Sequence, residues 1–194
     1  MPMLSLKERI KILESHLVPV PPTISVYREL PFAIFHYDPN DEWELRREVH
    51  LLATRLNNEG KSVIIISLAE LLWEAVDKTE GIDALIDLEK ERGFNAVQEQ
   101  LNLYLSDPDF CPLPDLIVER LSSLNPDKHI VFLTRAAAMA PSIYPMSRLL
   151  DEMQGRTKVP TILFYPGSLE GTTGLRFMDL PDREPMGNYR VKIY

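Results

Sequence analysis

The 194-residue sequence has one cysteine, Cys111. An internal disulfide is therefore excluded, and so is any metal site that needs paired thiolates. A lone thiol fits a reducing compartment, and a cytoplasmic protein is the expectation. Long apolar runs are also missing. None approaches the roughly 18 residues that span a bilayer. The first segment is broken by Lys7, Glu8, Arg9, Lys11 and Glu14, which is unlike a secretory leader. No membrane association is expected. Positive charge is in short supply: 21 Lys and Arg face 29 Asp and Glu, for a formal charge of −8. An acidic chain repels the phosphate backbone, so direct DNA binding is not expected either.

The chain is rich in ordinary core-forming residues, 45% of the total. That is enough for a full core without disulfides or metal. Residues 4–17 carry Leu6, Ile10, Leu13 and Leu17 at helical spacing. Pro19, Pro21 and Pro22 follow and stop the helix. The reading is an N-terminal helix and Pro-rich connector over 1–22, able to sit apart from the main core, and a single domain over 23–194.

That domain begins with an apolar run, residues 31–37, ended by Asp38-Pro39. A helical pattern over about 39–59 follows, with Leu45, Val49, Leu52 and Leu56 on one face and Gly60 after its end. Val63-Ile64-Ile65-Ile66 is apolar on both faces, as in parallel strands covered on both sides. Together these make a βαβ unit. Residues 68–124 read as helical, with a loop over 107–112. Two further strands are expected at 129–134 and 160–165, the latter ended by Pro166-Gly167, with a helix over 142–154 between them. A loop, Gly171-Thr172-Thr173-Gly174, and an alternating terminal strand over 189–194 complete the chain. The predicted fold class is α/β: a three-layer, mostly parallel central sheet of about five strands flanked by helices, with a helical insertion between the second and third core strands.

Parallel sheets bind ligands beyond the C-terminal ends of their strands. There is no GxxxxGK[ST] and no GxGxxG. The place of a phosphate loop, after the first strand, holds Tyr37-Asp38-Pro39-Asn40-Asp41-Glu42, with no glycine and three acids. The four histidines, His16, His36, His50 and His129, lack metal-ligand spacing. Asp38, Asp41 and Glu42 could serve a Mg²⁺ ion. They fit better as helix-start residues, with Asp38 as N-cap, Pro39 at N1 and the acids on the positive end of the dipole. Ser67, Thr134 and Cys111 have no sequence-level link to a histidine base, and GxSxG is absent. His36 reads as a core or half-buried histidine. Glu42 and Arg46 read as an i, i+4 contact. No catalytic residue, metal or cofactor is expected. The candidate binding edge consists of Tyr37, Asp38, Ser67, Thr134, Arg135 and Gly167, placed where strands end, and of Glu42 and Arg46 in the helix after the first strand, with Arg135 as the natural anion contact. The plainer reading is that strands end in turn-forming residues.

The combination resembles the BrxB family. It rests on Pro31-Phe32 through Tyr37-Asp38-Pro39 with Glu42, Glu44 and Arg46-Arg47. It rests also on Gly60 before Val63–Leu68 with Leu71-Leu72, on Phe132-Leu133-Thr134, and on Phe164-Tyr165-Pro166-Gly167 with Leu175-Arg176-Phe177 and Tyr189-Arg190. It runs from about Pro31 to the C-terminus. The family commonly has glycines after the Leu-Thr pair, where this chain has Arg135-Ala136-Ala137, and then Phe-Pro, where it has Ala140-Pro141. The resemblance implies a small accessory component of a BREX bacteriophage-resistance system without a catalytic activity of its own. It implies partners among the PglZ-like phosphatase-superfamily protein, the BrxC-like ATPase and the PglX-like methyltransferase, with docking on the PglZ-like protein foremost. Other readings stay open: a nucleotide-binding or degenerate P-loop-like regulatory domain, and a metal-dependent nuclease or hydrolase using Asp38 and Glu42. An adaptor needs an exposed apolar patch. Its candidates are the first helix (Leu6, Ile10, Leu13) and the helical stretch around Trp73 and Phe94.

Overall fold

A computed structural model describes residues 4–25, 30–171, 174–180, 189 and 191–194. The loop at Thr172-Thr173 and Arg190 of the expected terminal strand lie outside the described residues. Among the described residues there are six strands: β1 (Phe32–Tyr37), β2 (Ser62–Ser67), β3 (His129–Thr134), β4 (Thr161–Glu170), β5 (Gly174–Phe177) and β6 (Lys192–Ile193). Seven α-helices accompany them among the described residues: α1 (Leu6–Leu17), α2 (Glu42–Asn58), α3 (Leu68–Lys78), α4 (Gly81–Arg92), α5 (Phe94–Ser106), α6 (Leu113–Leu121) and α7 (Met146–Met153). Short 3-10 turns precede α2 at Pro39–Asp41 and follow β3 at Ala136–Met139.

The strand order is β2-β3-β4-β1-β6, parallel throughout, with β5 paired antiparallel to β4. The period of two in the strands divides the core into two layers. Ala33, Phe35, Phe132, Ile162 and Phe164 point to one face and meet Leu45, Val49, Leu52 and Leu56 of α2. Phe32, Ile34, Val131, Leu133 and Leu163 point to the other and meet α3, α5, α6 and α7. Phe132 and Phe164 meet edge-on at 5.3 Å, and Phe164 also packs on Phe35 at 5.6 Å. Burying each such ring contributes about 1.5–3 kcal/mol. The three-layer α/β architecture with a mostly parallel sheet matches the sequence reading. The chain between β2 and β3 supplies α3 to α6.

Three local expectations are corrected. The first helix does not sit apart. Ser5 and Glu8 form a capping box at its start, and Ile10, Leu13 and Leu17 are buried in the α2-side core. Arg55 of α2 donates its Nε to Glu14 at 2.9 Å, and Lys61 donates to the Pro19 carbonyl at 3.1 Å, tying both helix and connector down. Second, β2 is covered on both faces only in part: Ile64 and Ile66 pack on one core layer and Val63 on the other. It is an edge strand, and Ile65 is exposed, because α2 leaves a hollow over the end of β2. Third, Pro166-Gly167 does not end β4. Pro166 still stands in register with Tyr37, and Gly167 already pairs with Phe177. The strand changes partner at this dipeptide and runs on into a hairpin.

Candidate functional site

The C-terminal ends of β1, β2 and β3 share one edge because the strands are parallel. Helix α2 leaves β1 over one face of the sheet, while α3 leaves β2 over the other. Such a divergence opens a crevice at the strand ends. Here it forms two hollows, of about 290 Å³ and about 370 Å³. Tyr37, Glu42, Arg46, Ser67, Thr134 and Arg135 all line the first. Glu42, Arg46 and Arg135 line the second as well, with Ala69, Ala137, Ala138 and Met178. Six of the eight residues read from the sequence are thus brought together. Asp38 and Gly167 line neither hollow.

Each of these residues has a definable local role. Tyr37 is buried at the end of β1 and donates its hydroxyl to Glu42 Oε2. Burial, then the Glu42 carboxylate, pushes that hydroxyl well above the usual phenol range, so it acts as a donor. Arg46 holds the other oxygen, Oε1, at 2.7 Å and lays its guanidinium 4.7 Å from the Trp43 ring centre. Both Glu42 oxygens are thereby occupied. Asp38 accepts from the backbone and side-chain nitrogens of Asn40, both at 2.8 Å, and so caps the 3-10 turn rather than α2 itself. Among the described residues, no group of three His, Cys, Asp or Glu is placed to hold a metal ion.

Ser67 caps α3, its Oγ accepting from Glu70 N at 3.3 Å. Thr134 donates to the Ile66 carbonyl at 3.4 Å and fastens β3 to β2. Gly167 is structural. Its φ is 147°, and a Cβ built there would lie 2.0 Å from the Arg176 carbonyl oxygen. The hairpin strand approaches too closely for any side chain. The Gly167 carbonyl lies 3.3 Å from His36 Nδ1. His36 is half-buried, and burial with the nearby Arg9 charge pushes its pKa below the usual imidazole value.

Arg135 stands out in conformation and in company. It adopts left-handed backbone angles, φ 59° and ψ 37°, which are unfavourable by about 1–2 kcal/mol for a residue with a Cβ. Glycine tolerates this geometry without that cost. Its side chain is exposed, and no hydrogen bond or ion pair to it is found among the described residues.

A second surface bears on partner binding. Ile10 and Leu13 are in the core, so the first helix offers no apolar patch there. Trp73 and Phe94 are more than half exposed, at 54% and 53%. Helix α4 adds Ile82 and Ile86, which share one face at i, i+4 and are exposed, while only Leu85 of that helix is buried. Between residues 68 and 106 there are nine acidic and three basic residues, so this stretch holds six of the chain's eight net negative charges. Sequence reasoning singled out Trp73 and Phe94 but missed Ile82 and Ile86. The signal was available: a 12-residue helix whose acids Asp83, Asp87 and Glu91 share a face beside its isoleucines has little apolar surface left for the core. Also missed was a second arrangement like that of Tyr37, Glu42 and Arg46. In it Tyr144 donates to Glu152, and Arg148 donates to the same carboxylate at 2.7 Å.

Among the described residues, no helix is long and apolar enough to cross a membrane. The family model described as "BREX protein BrxB" matches residues 64–193. A "BREX protein BrxB" from Bacillus cereus (strain H3081.97) is 27% identical over 159 residues, covering 79% of each chain.

Proposed function

The chain belongs to the BrxB family, and on that premise we propose that it is a component of a BREX bacteriophage-resistance system that acts as a non-enzymatic adaptor. The observation that carries the adaptor reading is the set of large apolar side chains left exposed on α3, α4 and the start of α5. There Trp73, Ile82, Ile86 and Phe94 stand exposed among acids. Large aromatic side chains left in water are the usual anchors of protein interfaces, and a surrounding rim of one charge steers a complementary partner. The strand-end edge supports the same reading from the other side. Its candidate acid, Glu42, has both oxygens engaged by Tyr37 and Arg46, and Asp38 is engaged as a turn cap. Neither is poised as a base or metal ligand.

The partner proposed first is the PglZ-like phosphatase-superfamily protein, with the BrxC-like ATPase and PglX-like methyltransferase as the other candidates. Reconstitution of the purified chain with each component tests this. The expected result is a stable complex with the PglZ-like protein that tolerates nucleotide-free and metal-free buffer. Hydrolysis of nucleotide or nucleic acid by the chain alone, lost on Asp38→Ala, would replace the adaptor reading with an enzymatic one.

A further inference from the structure

We infer that the hollow at the C-terminal ends of β1, β2 and β3 is a binding site for a small molecule that carries one carboxylate or phosphodiester on an apolar body, with Arg135 as its anion contact. The inference is independent of the adaptor reading, since it concerns a different surface and a different class of ligand.

The first support is the placement of charge. Acids outnumber Lys and Arg by 29 to 21, yet none is paired with Arg135 among the described residues. Most other described arginines are engaged. Arg46, Arg47, Arg55, Arg120, Arg148, Arg156 and Arg176 each hold a carboxylate, and Arg9 donates to two backbone carbonyls. Arg92 is the other exception, and it lies on the separate α4–α5 surface. A guanidinium that is always charged, lines a hollow and is paired with no carboxylate is suited to contact an anion.

The second support is the lining. Ser67 Oγ accepts from Glu70 N, and its own proton has no acceptor among the described residues, so it is a second donor facing the same hollow. Apolar patches flank Arg135, Leu45, Val49 and Ile65 on one side and Ala69, Ala138 and Met178 on the other, while His50, Glu70 and Thr134 complete the polar part of the lining. Convergent polar groups beside apolar patches, in volumes of about 290 and 370 Å³, suit a small molecule with one polar end and one apolar end.

The third support sets the ligand's charge. Glu42 is neutralised by Arg46, which leaves one unpaired cation, Arg135, and one exposed carboxylate, Glu70, around the hollow. A polyphosphate would be repelled there, whereas one negative charge at Arg135 is accommodated. The apolar patches at Leu45, Val49 and Ile65 favour an uncharged remainder of the molecule.

Amide NMR of the full chain tests the site with two matched pairs: benzoate with benzamide, and cyclic AMP with adenosine. The expected result is that at least one of the two anions moves the amides of Ser67, Thr134, Ala137 and Ala138, and that its neutral partner does not. Which pair responds distinguishes carboxylate from phosphodiester. Arg135→Gly suits the left-handed backbone and so keeps the fold. It should weaken the anion by about tenfold or more, while Arg135→Lys should retain most of the affinity. The inference is overturned if neither anion moves those amides, if the neutral partners bind equally well, or if Arg135→Gly binds as tightly as the unaltered protein.

Discussion

The Tyr37 hydroxyl donates to the Glu42 carboxylate across the start of α2, and so a buried phenol depends on a partly exposed acid. The two side chains should respond unequally to substitution. Glu42→Ala strands the buried hydroxyl and frees Arg46, and should lower stability by about 1–3 kcal/mol. Tyr37→Phe leaves Glu42 with Arg46 and water, and should be the milder change, under about 1.5 kcal/mol. Urea denaturation of both variants measures the difference. Equal losses would contradict this dependence.

Arg135→Gly should stabilise the protein even as it removes a charge. The left-handed penalty of about 1–2 kcal/mol is relieved, and the greater entropy of an unfolded glycine gives back about 0.5–1 kcal/mol. A net gain of about 0.5–1 kcal/mol is expected in the denaturation midpoint. Arg135→Ala keeps the strained backbone and should bring no such gain.

Gly167→Ala should do the reverse. The new methyl would meet the Arg176 carbonyl oxygen at 2.0 Å, a contact that only separation of β4 from β5 can relieve. A loss of about 2 kcal/mol or more is expected, seen as a lower melting temperature and faster amide exchange in the hairpin.

Stability should fall as the pH drops through the imidazole range. Burial and the Arg9 charge lower the His36 pKa in the folded protein, so below about pH 6.5 the unfolded chain binds a proton that the folded one resists. Protonation then favours unfolding until the folded value is passed. His36→Gln should flatten this part of the stability–pH curve relative to the unaltered protein. Unchanged steepness would assign the dependence to other groups.

The fold was legible where one local pattern dominated. Short continuous apolar runs at 31–37 and 129–134 gave β1 and β3, and Leu45, Val49, Leu52 and Leu56 gave α2. It was not legible where the outcome depended on distant chain. The proline connector predicts a break after α1 but not the docking of Ile10 and Leu13 under the sheet. Pro166-Gly167 looks like a stop because proline lacks an N–H. Yet β4 needs no ladder donor at the point where it passes from β1 to β5, and the close approach of Arg176 is what requires the glycine. At the candidate site, strand ends predicted the convergence of Tyr37, Ser67, Thr134 and Arg135. The engagement of both Glu42 oxygens is tertiary geometry that spacing alone does not carry.

The most direct test of the adaptor account is titration calorimetry of the purified chain against the PglZ-like protein, with Trp73→Ala and Phe94→Ala made singly and together. Both side chains are more than half exposed, so the variants should keep their melting temperature. The account predicts a measurable complex that each substitution weakens by about 2 kcal/mol, roughly thirtyfold. Failure of every BREX component to bind, or binding indifferent to both substitutions, would contradict it.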